Sequence, residues 1–392
     1  MVLFTPAPLT YTFFSVILDQ KEDDLLKKFC CMFLALVMLA LCACGSDGGA
    51  LAVFEENDGV VSHAVPLYPH VSGDERTAYL LRRANSDTAG VALASRPGAE
   101  YTVIYETPSN AAVYELYADG GIIAFYELTV YSDGSVGYAL KIIDTGNGSR
   151  VVSPFKKTVS ENTGAQTRFI VVFDGCVYYL TESPLLGRCR VMRYRLSDGA
   201  LDEYLSYPLT DNEITAGSSC TFISSAAGYL TCGVVEGSRT TLKTYELTSG
   251  DLVREKVLPY SVAMVYMADH DYMTGLYAMY YMNAQGEECV GITQISDDAG
   301  VNEVMKLSKS EYLDREEVRL LGDKVVFTVQ DQDQSEDPYK AFYTVTAGAA
   351  DLTATRRDGV YEIVRIGGQY YSMSFGKKTG YSKVTLSKTE LN

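Results

Sequence analysis

A chain of 392 residues is long enough for one large core or two ordinary domains. Its formal charge of −17 argues against nucleic acid and anionic lipid surfaces as direct partners, since both call for basic patches. Tyrosine is abundant at 30 residues while tryptophan is absent, and that absence excludes motifs that are built around an indole.

The first 26 residues do not fit the segment after them. Glu22, Asp23 and Asp24 lie where the basic start of an export signal belongs, so 1–26 reads as an upstream extension. The start is then expected at Leu26, from an alternative initiation codon. Lys27 and Lys28 precede a 13-residue apolar run, Phe29 to Leu41, and small residues come next. Those are the three parts of an export signal over 27–43. The run is shorter than the roughly 20 residues needed to cross a bilayer. The tetrad Leu41-Cys42-Ala43-Cys44 resembles a bacterial lipobox, with Cys42 a less usual but small and apolar occupant. This resemblance implies that Cys44 is lipidated and becomes the mature N-terminus. The partner it implies is the membrane, reached through a lipid anchor on its extracytoplasmic face. Several acyl chains on one residue hold a protein where a single chain holds it only marginally. Residues 44–49, rich in glycine, form a short flexible tether.

From residue 50 to 392 one phrase returns seven times: an alternating strand ending in an aliphatic residue, a turn rich in Gly, Asp and Ser, and another β-rich stretch. The aliphatics are Leu93, Ile143, Leu196, Leu247, Ile295, Val345 and Leu386, spaced by 50, 53, 51, 48, 50 and 41. A second landmark is a glycine before a strand of aromatic and β-branched residues: Gly121, Gly175, Gly228, Gly275, Gly322 and Gly368. In the fourth repeat four strands can be traced, Ser219–Ser224, Tyr229–Val235, Thr241–Leu247 and Leu252–Leu258. The third repeat echoes it, with Tyr194-Arg-Leu-Ser-Asp-Gly-Ala-Leu201 matching Tyr245-Glu-Leu-Thr-Ser-Gly-Asp-Leu252. No stretch after Cys44 keeps a helical apolar period over four turns. The repeat resembles the blades of a β-propeller in general, with no single subfamily indicated. The expected fold is all-β, seven blades of four antiparallel strands. Ala50 to Glu55 would supply the outer strand of the seventh blade. The first blade would use Val60–Leu67, Ala78–Arg83, Gly90–Ala94 and Tyr101–Tyr105. Six blades plus an N-terminal extension is the alternative.

Residues with chemical potential are few. Beyond the signal the cysteines are Cys176, Cys189, Cys220, Cys232 and Cys289. Cys220 and Cys232 are symmetric about a turn at Ala226 and form a candidate disulfide in an exported protein, against the reading of small buried hydrophobes. No C-x-x-C pair occurs among the five, so no zinc site is expected. His270 sits in Asp269-His270-Asp271, a ligand-like triplet that falls in a hairpin loop between first and second strands. Asp331 to Asp337 is acidic but lacks the central glycine and distal glutamate of an EF-hand loop. The tyrosine pairs 178–179, 280–281 and 370–371 suit packing between blades better than a glycan-binding face.

Nucleophile-elbow, phosphate-loop, metalloprotease and dinucleotide motifs are all absent. The Asp-box of sialidase-like propellers and the docking motif of quinoprotein dehydrogenases both need tryptophan, so neither resemblance holds. No catalytic residue, metal or cofactor is expected. The leading reading is a non-catalytic binding or scaffolding lipoprotein of a bacterial envelope, with a protein or glycan partner and no nucleic acid. In outline it resembles assembly-factor lipoproteins with a propeller body. The alternatives are a glycan- or peptide-processing enzyme with acidic residues in the central funnel, and a solute-binding lipoprotein, which requires alternating strands and helices.

Overall fold

Two-residue glycine turns set the rhythm of the folded chain. The computed structural model describes residues 50–55, 60–67, 75–82, 89–159, 167–183, 188–208, 220–226, 228–236, 239–259, 261–267, 276–294, 302–307, 311–313, 319–321, 324–331, 339–346, 352–357, 360, 362–375 and 383–391. The signal, Cys44 and the tether therefore lie outside the described residues, as do His70, His270 and the acidic stretch after Asp331.

Among the described residues the strands sort into seven antiparallel sheets. Strand β1 (Ala50–Glu55) opens the fold and stands apart from the strands directly after it. The first sheet is β2 (Val60–Pro66), β3 (Thr77–Arg82), β4 (Ala89–Ala94) and β5 (Tyr101–Glu106). The second is β6 (Ala111–Asp119), β7 (Ile122–Val130), β8 (Val136–Asp144) and β9 (Arg150–Val159). The third is β10 (Thr167–Phe173), β11 (Cys176–Ser183), β12 (Arg188–Arg195) and β13 (Leu201–Pro208). The fourth is β14 (Cys220–Ala226), β15 (Tyr229–Glu236), β16 (Arg239–Glu246) and β17 (Leu252–Leu258). The fifth is β18 (Ser261–Met267), β19 (Leu276–Met282), β20 (Glu288–Gln294) and β21 (Asn302–Lys306). In the sixth, β22 (Glu311–Leu313) and β23 (Arg319–Leu321) share one side of β24 (Lys324–Asp331), with β25 (Tyr339–Thr346) and β26 (Thr355–Arg357) beyond. The seventh holds β27 (Glu362–Ile366), β28 (Gln369–Phe375) and β29 (Lys383–Lys388), and its fourth strand is β1.

From β27 through β2, β6, β10, β14 and β18 to β23, the first strand of each sheet lies beside the first strand of the next. This series therefore surrounds a central axis. The ring closes between sixth and seventh sheets, where the Tyr370 hydroxyl donates to Leu321 O at 3.0 Å and Val326 and Phe342 pack on Ile363. The fold is a β-propeller. The N-terminal strand is part of the ring: β1 pairs with β29 from Ala50↔Ser387 to Glu55↔Lys383.

Burial explains the sequence pattern. A second strand is sandwiched between two neighbouring sheets, so both its faces are apolar; in β7 all six residues from Ile122 to Glu127 are buried. The outermost β17 is exposed or half-exposed at every position but its last. Apolar side chains therefore form clusters between sheets, such as Leu80, Val91, Ile123 and Phe125 between the first and second. Tyrosine pairs serve two interfaces at once, because adjacent strand residues face opposite ways. Tyr178 packs on Leu230 and Cys232 of the fourth sheet, and Tyr179 on Ile122 and Ala124 of the second. Tyr371 packs against Tyr79 and Leu81 of the first sheet, while Tyr370 faces the sixth.

The glycine landmark has a steric cause at Gly228. Its φ is +85°, and a Cβ there would lie 2.8 Å from the Phe173 ring of the neighbouring sheet. Two requirements, a left-handed turn and a close neighbour, fall on one residue.

Candidate functional site

The axis is lined by the first strands, and these carry a recurring irregularity. Register shifts against the second strand occur between Val61 and His63, Tyr114 and Leu116, Arg168 and Ile170, Cys220 and Phe222, and Val262 and Met264. The extra residues are Ser62, Glu115, Phe169, Thr221 and Ala263. A bulge frees one residue from the ladder and bends the strand, a device common beside functional surfaces. Its mark is a skipped step in the alternation: Val113 and Leu116, three apart, enter the same cluster.

Two aspartates stand at matching turns on the inner mouth of the ring. Asp119 ends β6 just before the turn Gly120-Gly121, and Asp174 begins the matching turn after β10 with a φ of 44°. Burial pushes the Asp119 carboxyl up to about 6; the Gly120 backbone amide opposes this, and the charge of Asp174 adds to it. Such a group exchanges its proton close to neutral pH, a property concentrated at functional sites. In the unfolded chain the carboxyl returns to its ordinary range, so the folded state binds the proton more tightly between about pH 4 and 6. Stability is therefore lost as pH rises through that window and stays lower above it. Asp119→Asn, which removes the charge and keeps an acceptor for Gly120, is expected to stabilise the fold by about 1–2 kcal/mol at pH 8. The gain should fade toward pH 4. Urea unfolding at both pH values measures it, and an equal effect at each would contradict the burial of a charge.

A more deeply buried carboxylate, Glu127, sits within the interface of the first and second sheets. It accepts from the Tyr105 hydroxyl and pairs with Lys141 Nζ at 3.3 Å. Burial, then the hydrogen bond to Glu127, hold the Tyr105 phenol far above its ordinary range, so it stays a donor. A third, Glu362 on β27, accepts the Ala64 amide at 3.2 Å and joins the last sheet to the first beside the axis. Sequence reasoning missed all three carboxylates.

The cysteines behave differently from one another. The hairpin register sets Cys232 opposite Ile223 and Cys220 opposite Val234. Cys232 is a free, buried thiol, and the side chain of Cys220 lies outside the described residues. Cys289 is buried as well, and desolvation together with its hydrogen bond to Glu303 pushes its thiol up to about 12. A thiol so protonated is a poor nucleophile. Among the described residues no cluster of His, Cys, Asp and Glu could hold a metal ion.

No protein-family model matches the sequence, and no curated protein matches it. Similarity appears at the level of structure. A prolyl endopeptidase is 12% identical with a TM-score of 0.53; the match covers 98% of this chain and 56% of the endopeptidase chain. The β-propeller domain of the Trilobed protease from Pyrococcus furiosus, described as having an open velcro topology, is 10% identical over 72% of this chain and 82% of its own, with a TM-score of 0.44. TolB from Acinetobacter baumannii is 12% identical over 81% of this chain and 80% of its own, with a TM-score of 0.41. At such identities the likeness concerns the fold alone.

Proposed function

We propose that this chain is a membrane-anchored extracytoplasmic lipoprotein of a bacterial envelope, its propeller a non-catalytic binding or scaffolding module for a protein or glycan partner. The observation that supports the anchor is where the fold begins. Ala50, the first residue of β1, comes after Cys44 by only the five residues Gly45 to Gly49. The ring is thus tied directly to the lipidated residue with no domain between. A rigid ring that carries its variation in its connections is a scaffold for recognition.

Replacing Cys44 with serine tests the anchor. The wild-type protein should fractionate with membranes and the Cys44→Ser protein with the soluble pool or the medium. Identical partitioning of the two would remove the lipid reading. Crosslinking in the native cell would then identify what the propeller holds.

The enzyme alternative draws on one feature, the Asp119 and Asp174 pair at the inner mouth. Turnover of a glycan or peptide that vanishes in Asp119→Asn would favour it. For the solute-binding alternative the required alternation of strand and helix is missing: among the described residues the only helical element is the turn Thr145–Asn147.

A further inference from the structure

The two rims of the ring differ. Turns between first and second strands, and between third and fourth, share one rim; the remaining connections share the other. On the first rim five turns consist of two residues each: 120–121, 174–175, 227–228, 322–323 and 367–368. The second rim carries connections as long as 209–219.

Strand β1 is the fourth strand of its sheet, so it starts on the turn rim and runs toward the other. Two observations place that start. Ala50 pairs with Ser387 near the end of β29, and Leu51 lies against the turn at Gly98, where a Cβ would be 2.9 Å from Leu51 O. From Cys44 to Ala50 the chain has six steps and cannot span more than about 21 Å. The tether thus reaches the turn rim easily, whereas a β-strand of six residues already rises about 20 Å. Bringing the opposite rim to the lipid would need the tether stretched to its limit along the outer edge.

We infer that the propeller stands with its turn rim toward the lipid surface and its opposite rim facing outward. The outward rim is then the surface open to a partner. The inference rests on the proposed lipid anchor, and its test separates the two. Ser95 and Ser109 are both exposed, flank β5, and belong to opposite rims of the sheet beside β1. The full acylated chain bearing Ser95→Cys or Ser109→Cys is labelled with bimane and reconstituted into phosphatidylethanolamine–phosphatidylglycerol vesicles containing a headgroup nitroxide lipid. The unsubstituted chain gives the background from native thiols. Quenching should be about threefold or more greater at position 95 than at 109, given the strand length between them. Equal or reversed quenching in protein that floats with the vesicles overturns the orientation while leaving the anchor standing. Wild-type protein that fails to float, or a Cys44→Ser protein that floats equally well, overturns the anchor and the orientation with it.

Discussion

Removing residues 50–55 is expected to destabilise the ring by about 3–5 kcal/mol, seen as a large fall in the urea midpoint of the soluble domain. Strand β1 is six residues long, yet it is the only part of the N-terminal segment that belongs to the last sheet. Without it β29 becomes an edge, and its unpaired amides and carbonyls stand open to solvent or to another chain. Val384 and Leu386, both fully buried, lie under that pairing in the cluster that joins the seventh sheet to the first. Loss of the strand therefore acts on two interfaces. A permuted chain that starts at Val60 and carries residues 50–55 behind Asn392 through a flexible linker should recover most of the loss, because β29 ends on the rim where β1 begins. Should the truncated domain unfold at the wild-type midpoint, closure by β1 would contribute nothing to stability.

The repeat was legible because it is written in residues whose roles are local. Leu93, Ile143, Val345 and Leu386 fall inside third strands, and Leu196 and Leu247 come directly after them. Gly121, Gly175, Gly228 and Gly368 each stand immediately before a second strand, where only a tight turn fits. Even the closing strand could be read, since only six residues follow Leu386 and the last repeat lacks a fourth strand of its own. The doubled first strand of the sixth sheet could not. Its pieces, Glu311–Leu313 and Arg319–Leu321, are three residues each and carry too little alternation to register as strands.

The buried carboxylates were hidden for a different reason. Glu127 sits in Ile122–Val130, where a lone charged residue in a largely apolar run reads as a solvent-facing position. It is buried because the first sheet covers that face of β7, and its partners come from β5 and β8. No spacing within one strand announces a contact made across two sheets. Asp119 is similar: a turn aspartate by sequence, it owes its proton affinity to burial and to Asp174, 55 positions away.

The Glu127 group supplies the other large effect. Glu127 is 5% exposed, and its two oxygens have different partners. One accepts from Tyr105 across the sheet interface; the other pairs with Lys141, whose ammonium also lies 5.9 Å from the Tyr105 ring centre. Lys141→Met leaves a carboxylate in the interior without its cation, and such an orphan typically costs about 3–5 kcal/mol. Tyr105→Phe removes a single hydrogen bond to a charge and should cost about 1.5–3 kcal/mol. Glu127→Gln combined with Lys141→Met removes both charges and retains shape, so it should be less harmful than Lys141→Met alone. A double-mutant cycle in urea is expected to give a coupling energy of about 2 kcal/mol or more between positions 127 and 141. Additivity within about 0.5 kcal/mol would mean that each charge is solvated independently. The lock between the first and second sheets would then lie in the Tyr105–Phe125 ring contact, centroids 5.1 Å apart, and the apolar cluster around it.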